Sequence, residues 1–174
     1  MQRKLKIEGV VLKKKAILGK DSIITCFTRE KGKITLLAKG VRTIISKRLS
    51  SLLTGNLIDA ICNQSGDRLY LQDVQIISLF QEIRKSEERS KTLYFFLFLL
   101  DRLLPEGQQE PEVYNTFKRL LIELGRGEVA PARILYFLQH FLKLLGYGAS
   151  GPDLHSLILS VEEIIGSKIP EHII

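Results

Sequence analysis

Tryptophan is absent from this 174-residue chain, methionine occurs once and cysteine twice. The two cysteines, Cys26 and Cys62, form no C-x-x-C pair, which excludes a dense disulfide framework and a thiolate metal site. Both fall in strand-like runs and read as buried thiols. The three histidines, His140, His155 and His172, stand far apart with no partner at ligand spacing, so no metal is expected. His140 falls outside the apolar stripe of its helix, and His172 lies in what reads as a loose tail. Neither G-x-x-x-x-G-K-[ST] nor G-x-G-x-x-G occurs. Gly146-Tyr147-Gly148 follows a helical run and reads as a helix end. The neighbouring carboxylates Glu87/Glu88 and Glu162/Glu163 point apart on helices. With no nucleophile-and-base constellation, no catalytic residues and no cofactor are expected, and a binding protein is favoured over an enzyme. The longest fully apolar run, Leu93 to Leu100, is far short of the ~20 residues of a membrane span. The opening Met1 to Lys6 is polar, so a cytoplasmic protein with no membrane partner is expected.

Acidic residues are missing from one long stretch. Between Glu30 and Asp59 there is none, while Lys31, Lys33, Lys39, Arg42, Lys47 and Arg48 all lie there. The imbalance is regional: residues 1–80 carry 15 Lys and Arg against 6 Asp and Glu, and residues 81–174 carry 11 against 13. Basic modules bind nucleic acid, acidic proteins or anionic membranes. The cations here sit in strands and loops rather than along one amphipathic helix, which favours nucleic acid. Aromatics are scarce in that half. Of Phe27, Tyr70 and Phe80, only Tyr70 is a candidate for base stacking, so binding should rest on phosphates and carry little sequence preference.

What is present has a clear order. Residues 6–16 form a strand ended by Lys13, Lys14 and Lys15. Asp21 to Arg29 is a second strand, and Glu30-Lys31-Gly32-Lys33 a tight hairpin with Gly32 at positive φ. In the third strand Ile34, Leu36 and Ala38 alternate with Lys33, Thr35 and Lys39, and Gly40 breaks it. A basic loop carries Arg42, Lys47 and Arg48, and Ser50 to Gly55 is helical or irregular. Leu57 to Cys62 and Leu69 to Ile77 complete five strands, with a turn at Ser65-Gly66-Asp67. Such short, turn-linked strands suggest a small closed barrel or a sandwich.

From about Phe80 the apolar period lengthens to nearly four. Helices are expected at Glu87 to Leu104, from Pro111 to Gly125, and from Pro131 to Gly146. Another starts at Asp153, a candidate N-cap. Gly166 and Pro170 end the ordered chain. The expected fold is α+β, with a β-domain over residues 1–80 and an all-α bundle over residues 81–174.

Several of these segments resemble the RecO family of bacterial recombination mediators. They are Glu8-Gly9-Val10-Val11-Leu12, Asp21 to Thr28, Gly32-Lys33 and Ala38-Lys39-Gly40-Val41-Arg42. Further on, Leu99 to Gly107 with Pro111-Glu112, and Phe141 through Gly146-Tyr147, do so too. The resemblance implies an OB-fold followed by a helical domain. It implies binding of single- and double-stranded DNA, annealing without ATP, and recombinase loading with RecR and single-stranded-DNA-binding protein, in the cytoplasm at the nucleoid. Lys39 and Arg42 match the family's motif positions, and Lys47 and Arg48 lie in the corresponding loop. Lys33, Lys13, Lys14, Lys15 and Tyr70 complete the expected DNA-binding set. Many members carry a four-cysteine zinc module after the Gly-Tyr helix end. Here Asp153-Leu154-His155-Ser156 follows instead, so the chain resembles a shortened member without that module. An RNA-binding OB protein and a protein adaptor with a basic face are the alternatives.

Overall fold

The computed structural model describes residues 3–41, 48–127, 129–148, 151 and 153–173. They form two compact units. One comprises Met1–Leu79 with Leu104–Glu110, the other Phe80–Leu103 with Pro111–Ile174.

The first unit is a closed barrel. Its strands are β1 (Arg3–Ala16), β2 (Ser22–Thr28), β3 (Gly32–Ala38), β4 (Leu57–Ser65) and β5 (Arg68–Ser78), in the order β1-β2-β3-β5-β4. The long β1 serves two neighbours. Its first half, Arg3 to Val10, pairs with β4, and its second half, Gly9 to Ala16, pairs with β2, with a register shift between Val11 and Lys13. The crossover needs Gly9, because a Cβ there would stand 2.8 Å from Thr28 Cγ2 and 2.9 Å from the Phe27 carbonyl oxygen. Closure rests on two parallel pairs, Leu36–Leu69 and Leu37–Tyr70. The alternation read in β3 holds: Ile34, Leu36 and Ala38 point inward with Ile24 and Val11, while Thr35 is exposed. Cys26 and Cys62 are both free and buried in this interior. Burial, with the neighbouring Cys62 adding, raises the Cys26 thiol, and burial pushes Cys62 up to about 11. A short helix, α1 (Arg48–Ser51), precedes Leu52, which is fully buried in the barrel core.

Leu104–Glu110 behaves unlike its sequence reading. Pro105 and Gly107 do follow a helix end, but the segment is laced to the β2–β3 hairpin. Glu106 makes a parallel bridge with Lys33, and Gly107 N–H donates to the Lys33 carbonyl at 2.7 Å. Thr35 Oγ1 donates to Glu106 Oε1 at 2.9 Å, and the Gln109 side-chain amide donates to the Glu30 carbonyl. Gly32 is needed twice. Its φ is +66°, and a Cβ would lie 1.7 Å from the Gln108 carbonyl oxygen.

The second unit is helical: α2 (Gln81–Arg84), α3 (Glu87–Leu103), α4 (Pro111–Arg126), α5 (Pro131–Leu144) and α6 (Leu154–Ile165). The apolar run in α3 is central, since Phe96, Leu97 and Leu100 are buried. Phe96 lies 5.5 Å from Phe141, and Phe141 lies 6.3 Å from Phe117, which knits α3, α5 and α4 through aromatic edges. Asp153 caps α6 as its sequence position suggested. Its carboxylate accepts from Ser156 N–H at 2.8 Å within a capping box. The tail differs from the expectation that the ordered chain ends at Gly166 and Pro170 with His172 in a loose tail. Ile169 is buried, its N–H donates to Glu162 at 2.8 Å, and Glu171–Ile173 forms a 3-10 turn carrying an exposed His172. An apolar side chain with somewhere to go holds the chain past the glycine cap. Among the described residues no helix is long and apolar enough to cross a membrane.

Candidate nucleic-acid interface

Register decides which of the expected cations meet. In paired strands, residues directly opposite one another share a face. Lys15 pairs with Ile23, Ile23 with Leu37, and Leu37 with Tyr70. Tyr70 pairs in turn with Asn63, and Asn63 with Lys4. This row winds once round the closed barrel, so its exposed end lysines, Lys15 and Lys4, lie at opposite ends of β1, roughly 36 Å apart along the strand at ~3.3 Å per residue, and a half-buried Tyr70 stands between them in the row. One step below it, Lys13 pairs with Thr25 and Thr25 with Thr35, so Lys13 joins the same surface. Lys39, two residues beyond Leu37, is exposed and places its Nζ 5.1 Å from the Tyr70 ring centre.

The Gly40 end of the barrel also gathers two loops. The β1–β2 connection runs through an almost fully exposed Leu18 and an exposed Lys20. The chain leaving β3 starts at Gly40, whose N–H donates to Asp21 Oδ1 at 2.8 Å, tying it to the β1–β2 loop. The β4–β5 turn at Gly66, with φ +59°, lies beside the start of β1 instead and leads into an exposed Arg68, two residues before Tyr70. One local carboxylate is thus engaged with backbone, and cations dominate the rim.

Two of the expected residues fall elsewhere. Lys14 alternates to the other side of β1, opposite the buried Ile24, and partial burial lowers its pKa. Lys33 lies six residues from Lys39, roughly 20 Å along the strand at ~3.3 Å per residue, where it bridges to Glu106. Arg42 and Lys47 lie outside the described residues. Arg48 opens α1, and its side chain is likewise outside them. Sequence reasoning missed Lys20, in the β1–β2 loop, and Arg68, whose place beside Tyr70 depends on the pairing of β5. The loop position of Lys20 and the turn before Arg68 were the available signals.

Among the described residues no group of three or more His, Cys, Asp or Glu could hold a metal ion.

A five-stranded barrel with this strand order and a helix between β3 and β4 is an OB-fold, a class that binds oligonucleotides and oligosaccharides on its strand faces and adjoining loops. Residues 1–80 match the profile "Recombination protein O N terminal" and residues 88–159 match "Recombination protein O C terminal". The chain belongs to the RecO family. It is 30% identical over 145 residues to a DNA repair protein RecO of Syntrophus aciditrophicus, covering 82% of this chain and 56% of that one. It is 26% identical to the protein of that name in Alkaliphilus metalliredigens, covering 88% and 62%, and 26% identical to that of Prosthecochloris aestuarii, covering 92% and 61%. The chain therefore spans about three fifths of the length of the curated relatives it matches.

Proposed function

We propose that this chain is a DNA repair and recombination mediator that binds single- and double-stranded DNA on the outer face of its barrel. The observation that carries this reading is the face on which Lys15, with Lys13 beside it, shares a row with Tyr70, crowned by Lys39. Phosphates meet Lys13, Lys15 and Lys39, and Arg42, Lys47 and Arg48 add to them from the basic loop. Tyr70 presents a ring already polarised by a cation, against which a base can lie. Two complementary strands repel one another. A surface that neutralises phosphates lowers that repulsion, so annealing proceeds without nucleotide hydrolysis, and no catalytic group is required. In this reading RecR and single-stranded-DNA-binding protein are the partners through which annealing is coupled to recombinase loading.

The test is oligonucleotide binding by fluorescence anisotropy across a salt series. Changing Lys13, Lys15 and Lys39 together to Gln should lower the slope of log affinity against log salt by about 2 on single strands, at ~0.7 per lost phosphate contact. A strand-annealing assay with and without RecR follows the same variants. An unchanged slope sinks the barrel site. Preference for matched RNA over DNA competitors would move the reading to an RNA-binding protein, and absence of any oligonucleotide binding would move it to an adaptor for an acidic protein.

A further inference from the structure

The helical unit carries equal numbers of acidic and basic residues, yet one of its faces is cationic and aromatic. Helix α5 contains no Asp or Glu. Opposite its buried stripe of Phe137, Leu138, Phe141 and Leu142, it presents Arg133, Tyr136, His140 and Lys143. These fall within one helical face at spacings of three, four and three. The rings are ordered. Tyr136 and His140 are stacked at 5.7 Å with a 9° interplanar angle, and the Arg133 guanidinium sits 4.8 Å from the Tyr136 ring centre. Tyr136 is nonetheless 43% exposed.

Helix α4 continues this face. Asn115, Arg119, Ile122 and Arg126 recur at four, three and four along its exposed side, and Ile122 is 42% exposed. Glu112 begins the α4 stripe, three residues before Asn115, and is exposed, whereas Glu123, between the two stripes, is occupied. Arg133 donates to it twice, at 2.7 and 2.9 Å. Those bonds first, then the nearby charges of Arg133, Arg119 and Arg126, hold its carboxyl below the usual range. Three guanidinium groups thus surround a single carboxylate, and that carboxylate fixes one of them over an aromatic ring. A structural ion pair does not need the other two cations or an exposed ring stack.

We infer that the outer face of α4 and α5 is a second binding surface for single-stranded nucleic acid, with Arg119, Arg126 and Lys143 meeting phosphates and the Tyr136–His140 stack meeting bases. The occupant is set by charge complementarity and by π-surface, because an acidic protein segment would use the cations but has no need of the ring stack. The inference extends the annealing reading, since a chain with two separate strand-binding surfaces can hold both reactants. Its test does not depend on the barrel site being correct.

The full chain is titrated with a fluorescent oligo(dT) 15-mer in four forms: wild type, a barrel variant (K13Q/K15Q/K39Q/R42Q/K47Q/R48Q), that variant with R119Q/R126Q/K143Q added, and the helical substitutions alone. Circular dichroism checks the fold of each. The barrel variant should retain oligonucleotide binding with a salt slope of about 2, from three contacts at ~0.7 each. Adding the helical substitutions should abolish it. Tyr136→Leu, which keeps the bulk and removes the ring, should weaken the residual binding about tenfold, the scale of one lost base stack. Loss of all binding in the barrel variant alone overturns the second surface and leaves the barrel reading standing. Residual binding that ignores the helical substitutions also overturns it, as does a face that binds an acidic peptide but no oligonucleotide. If the helical substitutions alone abolish binding in an otherwise intact chain, the second surface stands and the barrel reading fails.

Discussion

The two ends of β3 carry the same kind of residue and do different things. At the Gly40 end Lys39 is exposed over Tyr70, and the nearby Asp21 is spent on a backbone N–H. At the Gly32 end Lys33 sits beside the Leu104–Glu110 segment, with Glu106 and Glu30 close by. One end presents charge to solvent, and the other is a junction whose polar groups bind one another. A run of basic residues in sequence is therefore not a patch. Topology divides it, and only the part sharing a rim with other loops adds up to a surface for a polyanion.

The comparison can be broken or sharpened in several ways. The largest effect should come from the middle of the strand. Leu36→Ala empties a fully buried site at one of only two β3–β5 pairs and should cost about 2–5 kcal/mol, measured by urea unfolding. Both ends should loosen together, and a loss under about 0.5 kcal/mol would mean the closure is held elsewhere.

Next in size is a pair of glycine substitutions. Gly32→Ala adds a Cβ where Gln108 stands and also strains a φ of +66°, whereas Gly40→Ala, at φ +62°, meets nothing within 4 Å. The first should cost about 2–4 kcal/mol and the second about 1 kcal/mol. Equal losses would show that the Leu104–Glu110 segment yields freely.

Binding should separate the ends in the opposite sense. Lys39→Gln should lower the single-strand salt slope by about 0.7, and Lys33→Gln should leave it nearly unchanged in the same anisotropy titration. If Lys33 matters as much as Lys39, the phosphate path continues down the strand to the junction.

The smallest effect concerns protonation at the Gly40 end. Burial lowers the pKa of Lys14 from its ordinary value of 10.5. The unfolded chain then binds more protons than the folded one between the lowered value and 10.5, so stability rises with pH across that window. Lys14→Met should flatten that rise in denaturation curves followed from neutral pH up to 10.5, and a rise that persists unchanged would assign it to another group.

Much of the chain was legible before folding because the signals are local. The period of two in β3, the glycines at Gly32 and Gly66, the Asp153 cap and the period of nearly four in α3 through α6 each depend on a few neighbouring residues. The same was true of the buried thiols, which lie on the apolar side of their strands. The resemblance to the family rested on such segments in order. The candidate site was legible only in part. Lys39 and Tyr70 stand 31 positions apart in sequence, and nothing local announces that the parallel Leu37–Tyr70 pair brings them together.

Periodicity, turn chemistry and the uneven distribution of charge were determined by the sequence itself, because backbone sterics and side-chain alternation act within a few residues. The tertiary structure alone decided that Lys15 shares a row with Tyr70, that Lys14 does not, and that Lys33 is drawn into a junction with Glu106. It also decided that the cations of two helices, diluted by acids in the overall count, share one face around Glu123. The physical reason is the same in each case. Long-range register is set by closing a barrel or seating a helix on a core, and a one-residue change in register sends a side chain to the opposite face.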